Sequence, residues 1–410
     1  MNKLLRSHAD QIIKESIAAV LPDSAVKKAL NSMELTGRVV LVAVGKAAWQ
    51  MAKAASEALP GRIEKGVVIT KYGHVISPLD GLECFEAGHP VPDENSVRAT
   101  QAALDMVSGL TENDTVLFLL SGGGSALFEK PLVPLAELKD ITGQLLACGA
   151  DIVEMNTIRK RLSGVKGGRF ANACLPAKVE AVVLSDILGD PLDMIASGPA
   201  CPDSSTAEDA RRIVSKYSLK LTPQAADLLN VETPKSLENV HVQVTGSVRE
   251  LCAAASKVCA DLGYEPVFLT DLLCCQAREA GSFLASILRT HAQGSRKMAF
   301  IAGGETVVKI TGSGLGGRNQ EIALSAAAGI AGIRNAAVFS VGSDGTDGPT
   351  DAAGGYADGN TAGELAEAGL SIDAVLSDND SYNALKKTGG LIFTGPTGTN
   401  VNDVTVALLN

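Results

Sequence analysis

The stretch KITGSGLGGRNQE, Lys309 to Glu321, concentrates chemistry in few residues. Gly312, Gly314 and Gly317 satisfy G-x-G-x-x-G, the turn that lets a backbone approach a pyrophosphate. Arg318 follows at once, and an arginine beside a glycine turn suits a phosphate about to be transferred. The motif therefore admits two ligands, a dinucleotide or a transferring phosphate. A second glycine loop, Ser121-Gly122-Gly123-Gly124-Ser125, could aim backbone N–H groups at an anion or simply turn tightly between strand and helix. Around Ser125 the pattern G-x-S-x-G is not met, which argues against a serine hydrolase. Lys46 stands where a helix should begin. A cation there opposes the helix dipole, so a phosphate partner is a reason for its presence.

The remaining polar candidates fall into three groups. RKRLSGVKGGR, Arg159 to Arg169, is the densest basic stretch; Arg159 could grip a carboxylate, while Lys160 and Arg161 read as a solvated helix face. Asp186 and Asp190, and further on Glu305, Asp344 and Asp347, are acids at apparent strand ends. They could hold a nucleotide-bound metal, orient a hydroxyl or make turns. His89, before Pro90, reads as a loop residue.

Elements that could position these groups are visible in the hydropathy. VVLVAV, TVLFLL and AAVFSVG are continuous apolar runs, the mark of strands covered on both faces. Each is followed by small or polar residues and a helical stretch, so the expected class is α/β with a doubly wound, mainly parallel sheet. VVKI, Val307 to Ile310, reads as one more strand ahead of the glycines. Lys46, Ser121 to Ser125, Asp186, Glu305 and Asp344 all follow strand ends, where open α/β sheets bind ligands. With 410 residues, two domains are expected, divided near the polar segment Val231 to Val240.

Composition removes other classes. The net charge of −10 disfavours nucleic acid and anionic membrane, and aromatics at 4% give no stacking platform. Eight scattered cysteines without C-x-x-C point to a reducing, cytoplasmic setting. The first twenty residues form an amphipathic pattern with charges throughout, not a signal peptide.

Nine stretches, in order, resemble one family: VAVGKAAWQMA, VVITKYGH, EAGHPVPDENS, LLSGGGSAL, MNTIRKRLSGVKGGR, VVLSDILGDPLDMIASGP, GGETVVKITGSGLGGRNQE, SVGSDGTDGPTDAAGG and IFTGPTGTNVND. They are similar to glycerate 2-kinases with a C-terminal MOFRL domain. The resemblance implies ATP-dependent phosphorylation of D-glycerate to 2-phosphoglycerate in a cleft between a large α/β domain and a smaller one. It implies that the last segment returns to the large domain, giving 1–236 with 388–410 and then 237–387. It assigns catalysis to Lys46 and Arg318. The accompanying candidates are Ser121, Gly122, Gly123, Gly124, Ser125, Gly314, Gly316, Gly317, Asn319 and Arg159 for substrate or ATP phosphates. Asp186, Asp190, Glu305, Asp344 and Asp347 are the candidates for acid–base work or Mg²⁺, with Asp186 and Asp344 as metal ligands. A homodimer is compatible with the sequence, which leaves the oligomeric state open. The competing reading is an NAD(P)H-dependent hydroxypyruvate reductase using Gly312 to Gly317. It fits poorly, because after Glu321 no acid occurs before Asp344 to take a ribose.

Overall fold

The computed structural model describes residues 1–189 and 191–410. The chain forms two compact units, Ala25–Thr245 and Met1–Ser24 with Gly246–Asn410. They are called here the Lys46 unit and the Arg318 unit.

In the Lys46 unit the strands are β1 (Val39–Val44), β2 (Ile63–Lys71), β3 (Leu82–Ala87), β4 (Thr115–Leu120), β5 (Lys178–Leu184) and β6 (Val240–Gly246). Their order across the sheet is β3-β2-β1-β4-β5-β6. The pairs β2–β3, β1–β2, β1–β4 and β4–β5 are parallel. Side chains of β1 alternate between two cores. Val40, Val42 and Val44 join Phe118, Phe128 and Phe170. Val39, Leu41 and Ala43 join Trp49, Met51 and Ala52 of the helix Ala48–Ala58. Burial on both faces is why β1 and β4 carry no polar alternation, and each fully buried Val or Leu favours folding by roughly 1.5–3 kcal/mol. The order makes β1 and β4 the point where the winding reverses, so the crevice beyond their carboxyl ends is the expected ligand position.

In the Arg318 unit the strands are β7 (Glu265–Leu273), β8 (Met298–Gly304), β9 (Ala336–Gly342), β10 (Gly354–Asp358), β11 (Leu391–Ile392) and β12 (Asp403–Leu409). They run β11-β10-β9-β12-β8-β7 across the sheet. Only β7–β8 is parallel among these pairs; β12 lies antiparallel to both β8 and β9.

Two sequence expectations differ from this arrangement. The last segment does not return to the larger unit, because β12 is a central strand of the second sheet and is buried throughout. It is the first 24 residues that cross over. The helix Lys3–Ala19 buries Leu5, Ile12, Ile13 and Ile17, and His8 Nδ1 meets the Tyr264 hydroxyl at 2.7 Å. VVKI is not a strand either: Val307 makes one isolated bridge to Gln276, and regular structure resumes only at Arg318. Among the described residues no helix is long and apolar enough to cross a membrane.

Candidate functional site

At the switch point of the Lys46 unit, the loops after β1 and β4 are tied together. Ser121 N–H donates to Val44 O at 2.9 Å, Lys46 N–H to Gly122 O at 2.9 Å, and Ala47 N–H to Ser121 Oγ at 3.1 Å. Gly45 is required: its φ is +121°, and a Cβ there would lie 2.2 Å from Ser121 Oγ. Ser121 is thus buried in loop bracing, although the sequence suggested a ligand contact.

The half-buried Lys46 side chain runs beside Gly123, its Cγ 3.2 Å from where a Cβ on that glycine would sit. Among the described residues Lys46 has no ion-pair partner. The His89 ring lies 3.1 Å from the same point. Burial and the charges of Lys46 and Lys71 push the His89 pKa down. Sequence reading assigned His89 to a loop and missed this proximity, which rests on packing between distant segments. His74 Nδ1 donates to Lys46 O at 3.1 Å and braces the lysine backbone.

Gly122 has no room for a side chain because the Asp186 carboxylate packs there, 2.1 Å from a hypothetical Cβ. Gly123 is left-handed at φ +88° and precedes the single helical turn Gly124–Leu127. Ser125, within that turn, accepts Arg159 Nη2 at its carbonyl, 3.0 Å away. Arg159 lies in the last turn of the capped helix Ile152–Arg161. Burial lowers its pKa, partly offset by Glu129, and among the described residues it forms no ion pair. Asp190 lies outside the described residues.

The basic stretch behaves differently from expectation. Lys160 and Arg161 are not a solvated face; both are fully buried. Lys160 Nζ meets Asp203 at 3.0 Å and Asp193 at 3.2 Å, and Arg161 holds Ser205 and Glu232. Lys166 is also buried, on Glu129 at 2.6 Å, with its pKa lowered by burial to about 8. These cations hold the loops behind the site, and charge content alone does not separate them from exposed ones.

In the Arg318 unit, Arg318 is the first residue of the helix Arg318–Gly329. Its guanidinium is forked onto Asp403, Nε–Oδ2 2.5 Å and Nη2–Oδ1 2.9 Å, while Nη1 reaches Glu305 Oε1 at 3.1 Å. Asp403 begins β12, and burial raises its pKa while Arg318 opposes the rise. The sequence reading did not single out Asp403; only its place after NVN in the final motif hinted at it. Asp347 caps the same helix, accepting from Asn319 N–H at 3.1 Å and Gln320 N–H at 2.9 Å. Burial pushes its pKa up to about 7 despite those bonds.

The glycines before Arg318 serve close packing. The amides of Gly312, Ser313, Gly314 and Leu315 are taken by Asn379 Oδ1, Asp378 Oδ1, Asp378 O and Asp380 Oδ1. A Cβ on Gly312 would lie 2.3 Å from Asp378 Cα, on Gly314 2.5 Å from Asp380 Cβ, on Gly316 2.2 Å from Ser381 Oγ, and on Gly317 2.2 Å from Asp347 Cγ. This loop is therefore occupied by its own chain, and the dinucleotide fingerprint lacks its strand. Asn319 is fully buried on Asp347 and Ser340, where it supports the helix start. Asp344 turns the backbone, accepting from Thr346 N–H at 2.9 Å. A cavity of about 460 Å³ opens beside Glu305, Val308, Ile310, Gly316, Arg318 and Pro349. Among the described residues no group of three acidic, histidine or cysteine side chains could hold a metal ion.

A doubly wound sheet with a lysine and a glycine loop at its switch point places the protein in the ligand-binding α/β class. Residues 8–230 match a domain of unknown function, DUF4147, and residues 298–403 match the MOFRL family. A Thermotoga maritima protein named D-glycerate 2-kinase is 54% identical, covering 99% of this chain and 98% of its own. The crystal structure of a Thermotoga maritima glycerate kinase superposes with a TM-score of 0.96, 54% identity and full coverage of both chains. An Agrobacterium vitis relative bearing a hydroxypyruvate reductase name is 38% identical over 97% of this chain and 93% of its own. The chain belongs to the glycerate 2-kinase family that carries a C-terminal MOFRL domain.

Proposed function

We propose that this protein transfers the γ-phosphoryl group of ATP to the 2-hydroxyl of D-glycerate in the cytoplasm, giving 2-phosphoglycerate. The observation that carries the reading is the 54% identity, across nearly the whole chain, to a D-glycerate 2-kinase. The geometry supports it. Lys46 lies at the switch point of its sheet as a half-buried cation without an ion-pair partner among the described residues, and Arg318 presents a guanidinium oriented by Asp403.

Phosphoryl transfer needs positioning and charge neutralisation more than covalent chemistry. In this reading both cations act on the same phosphoryl group during turnover and stabilise the charge on its oxygens. Mg²⁺ arrives on ATP as part of the substrate, and the phosphates supply most of its ligands. In this reading Glu305, about half exposed beside Arg318, takes the proton released from the glycerate 2-hydroxyl. The reductase reading survives only through relatives' names, since the Gly312–Gly317 loop does not form a strand–turn–helix.

One pair of assays on the purified protein separates the readings. Kinase function predicts ADP release that requires both D-glycerate and Mg²⁺, with 2-phosphoglycerate as product. NAD(P)H oxidation by hydroxypyruvate without ATP would instead establish the reductase.

A further inference from the structure

Behind the glycine loop lies a chain of hydroxyls that the phosphate-binding picture leaves unexplained. Ser197 is fully buried and donates its hydroxyl proton to Asn156 Oδ1 at 2.8 Å. Asn156, 1% exposed, turns its amide nitrogen to Met194 Sδ at 3.4 Å, which fixes the oxygen toward Ser197. Ser197 Oγ lies 3.2 Å from Ser125 Oγ. A serine hydroxyl has one proton. With that of Ser197 spent on Asn156, Ser125 must be the donor between the two serines. The outward side of Ser125 Oγ then carries lone pairs only.

The backbone that presents Ser197 is held in an uncommon conformation. Ala196, Ser197 and Gly198 are consecutively left-handed, with φ of 51°, 62° and 66°. Two non-glycine residues in that region are costly and persist only where the surroundings enforce them. Gly167 and Gly168 N–H enforce them here, donating to Ser197 O at 3.0 Å and Gly198 O at 2.7 Å.

An acceptor-only Ser125 repels phosphate and carboxylate oxygens, which bring no proton, and takes a hydroxyl donor. Arg159, bonded to the Ser125 carbonyl and without an ion pair among the described residues, adds a cation fit for a carboxylate. A carboxylate and a hydroxyl a few bonds apart describe a small hydroxy acid. We propose that Ser125 and Arg159 form the hydroxy-acid subsite, and that Ser197 and Asn156 are positioning residues that hold Ser125 as an acceptor of a substrate hydroxyl. The inference rests on the kinase reading and deepens it: the SGGGS loop serves glycerate at its Ser125 end rather than the ATP phosphates.

The test is steady-state kinetics of the full-length protein and its Ser125→Ala, Ser197→Ala and double variants, varying D-glycerate and ATP separately. Each single variant should raise the KM for glycerate about fivefold to tenfold, the worth of one hydrogen bond, with the KM for ATP changed less than twofold. The double variant should be no worse than Ser125→Ala, because both changes remove one chain. Ser197→Ala keeps a residue type that already sits left-handed at Ala196, and thermal melting checks that it folds; Ser125→Ala, at a half-buried position, gives the same readout without touching the strained turn. A shift in the KM for ATP instead, an unchanged KM for glycerate, or additive losses would overturn the assignment while the kinase reading stood. A wild-type protein that releases no ADP with glycerate would overturn both.

Discussion

Arg318 and Asp403 form a two-point ion pair in which the carboxylate takes both Nε and Nη2, leaving Nη1 directed to Glu305. The fork fixes the guanidinium plane, and only an arginine offers it. Arg318→Ala should lower kcat by about 100-fold or more, as removal of a transition-state cation does elsewhere. Arg318→Lys should restore little, since an ammonium cannot occupy both oxygens of Asp403 and still reach outward. Asp403→Ala should lower kcat too and destabilise the fold by roughly 2–5 kcal/mol, because a partly buried cation loses its partner. Kinetics and urea unfolding of the three variants check this, and near-normal turnover of Arg318→Ala would falsify the role given to Arg318.

Lys46 makes the opposite prediction for stability. It is held by its backbone, through Gly122 O and His74, while its ammonium has no ion pair among the described residues. Lys46→Met should therefore leave the unfolding free energy within about 0.5 kcal/mol of wild type while reducing kcat about 100-fold or more. Equal losses of activity and stability would mean that the lysine is structural.

How far the sequence reveals this site depends on what each residue contacts. Lys46 and the SGGGS loop follow uninterrupted apolar runs, so their place at strand ends is readable from local pattern. The parallel sheet of the Lys46 unit follows from the same runs. Asp403 and His89 could not be read that way, because their partners lie 85 and 34 residues away in sequence and are met only in the fold. The glycines before Arg318 misled for a related reason. G-x-G-x-x-G records that a backbone is approached closely; it does not say by what, and here Asp378 to Ser381 and Asp347 make the approach. Lys160 and Arg161 show the same limit, since charge predicts exposure only until a buried partner such as Asp203 appears.

The packing role of these glycines is testable. A methyl on Gly317 would lie 2.2 Å from Asp347 Cγ, and that carboxylate is buried and bonded to two helix amides. Gly317→Ala should cost roughly 1–3 kcal/mol and lower kcat by displacing the helix start that carries Arg318. Gly363, in the helix Thr361–Glu367, meets nothing within 4 Å and serves as the control. Gly363→Ala should be neutral or slightly stabilising. Urea midpoints of the two variants decide between a packing glycine and a merely flexible one.

Asp347 should make the protein's stability depend on pH in a direction opposite to that of a salt-bridged acid. Its pKa is raised by burial to about 7 in the folded state, from 3.8 when unfolded, with Asp403 adding to the rise and the Asn319 and Gln320 amides and Arg318 opposing it. Between those values the folded state holds a proton that the unfolded state has lost. Stability from this group is therefore complete below about pH 4 and lost as pH rises through about 7. Three units at 1.36 kcal/mol each set an upper bound of about 4 kcal/mol. Asp347→Asn removes the titration and keeps an amide oxygen for one helix N–H. Subtracting the unfolding free energies of the variant from those of wild type, at steps from about pH 4 to about pH 9, cancels the other groups. The difference should move against wild type by a few kcal/mol across the window and flatten above pH 8. A difference that stays level with pH would show that Asp347 is ionised throughout, held so by the helix amides and Arg318.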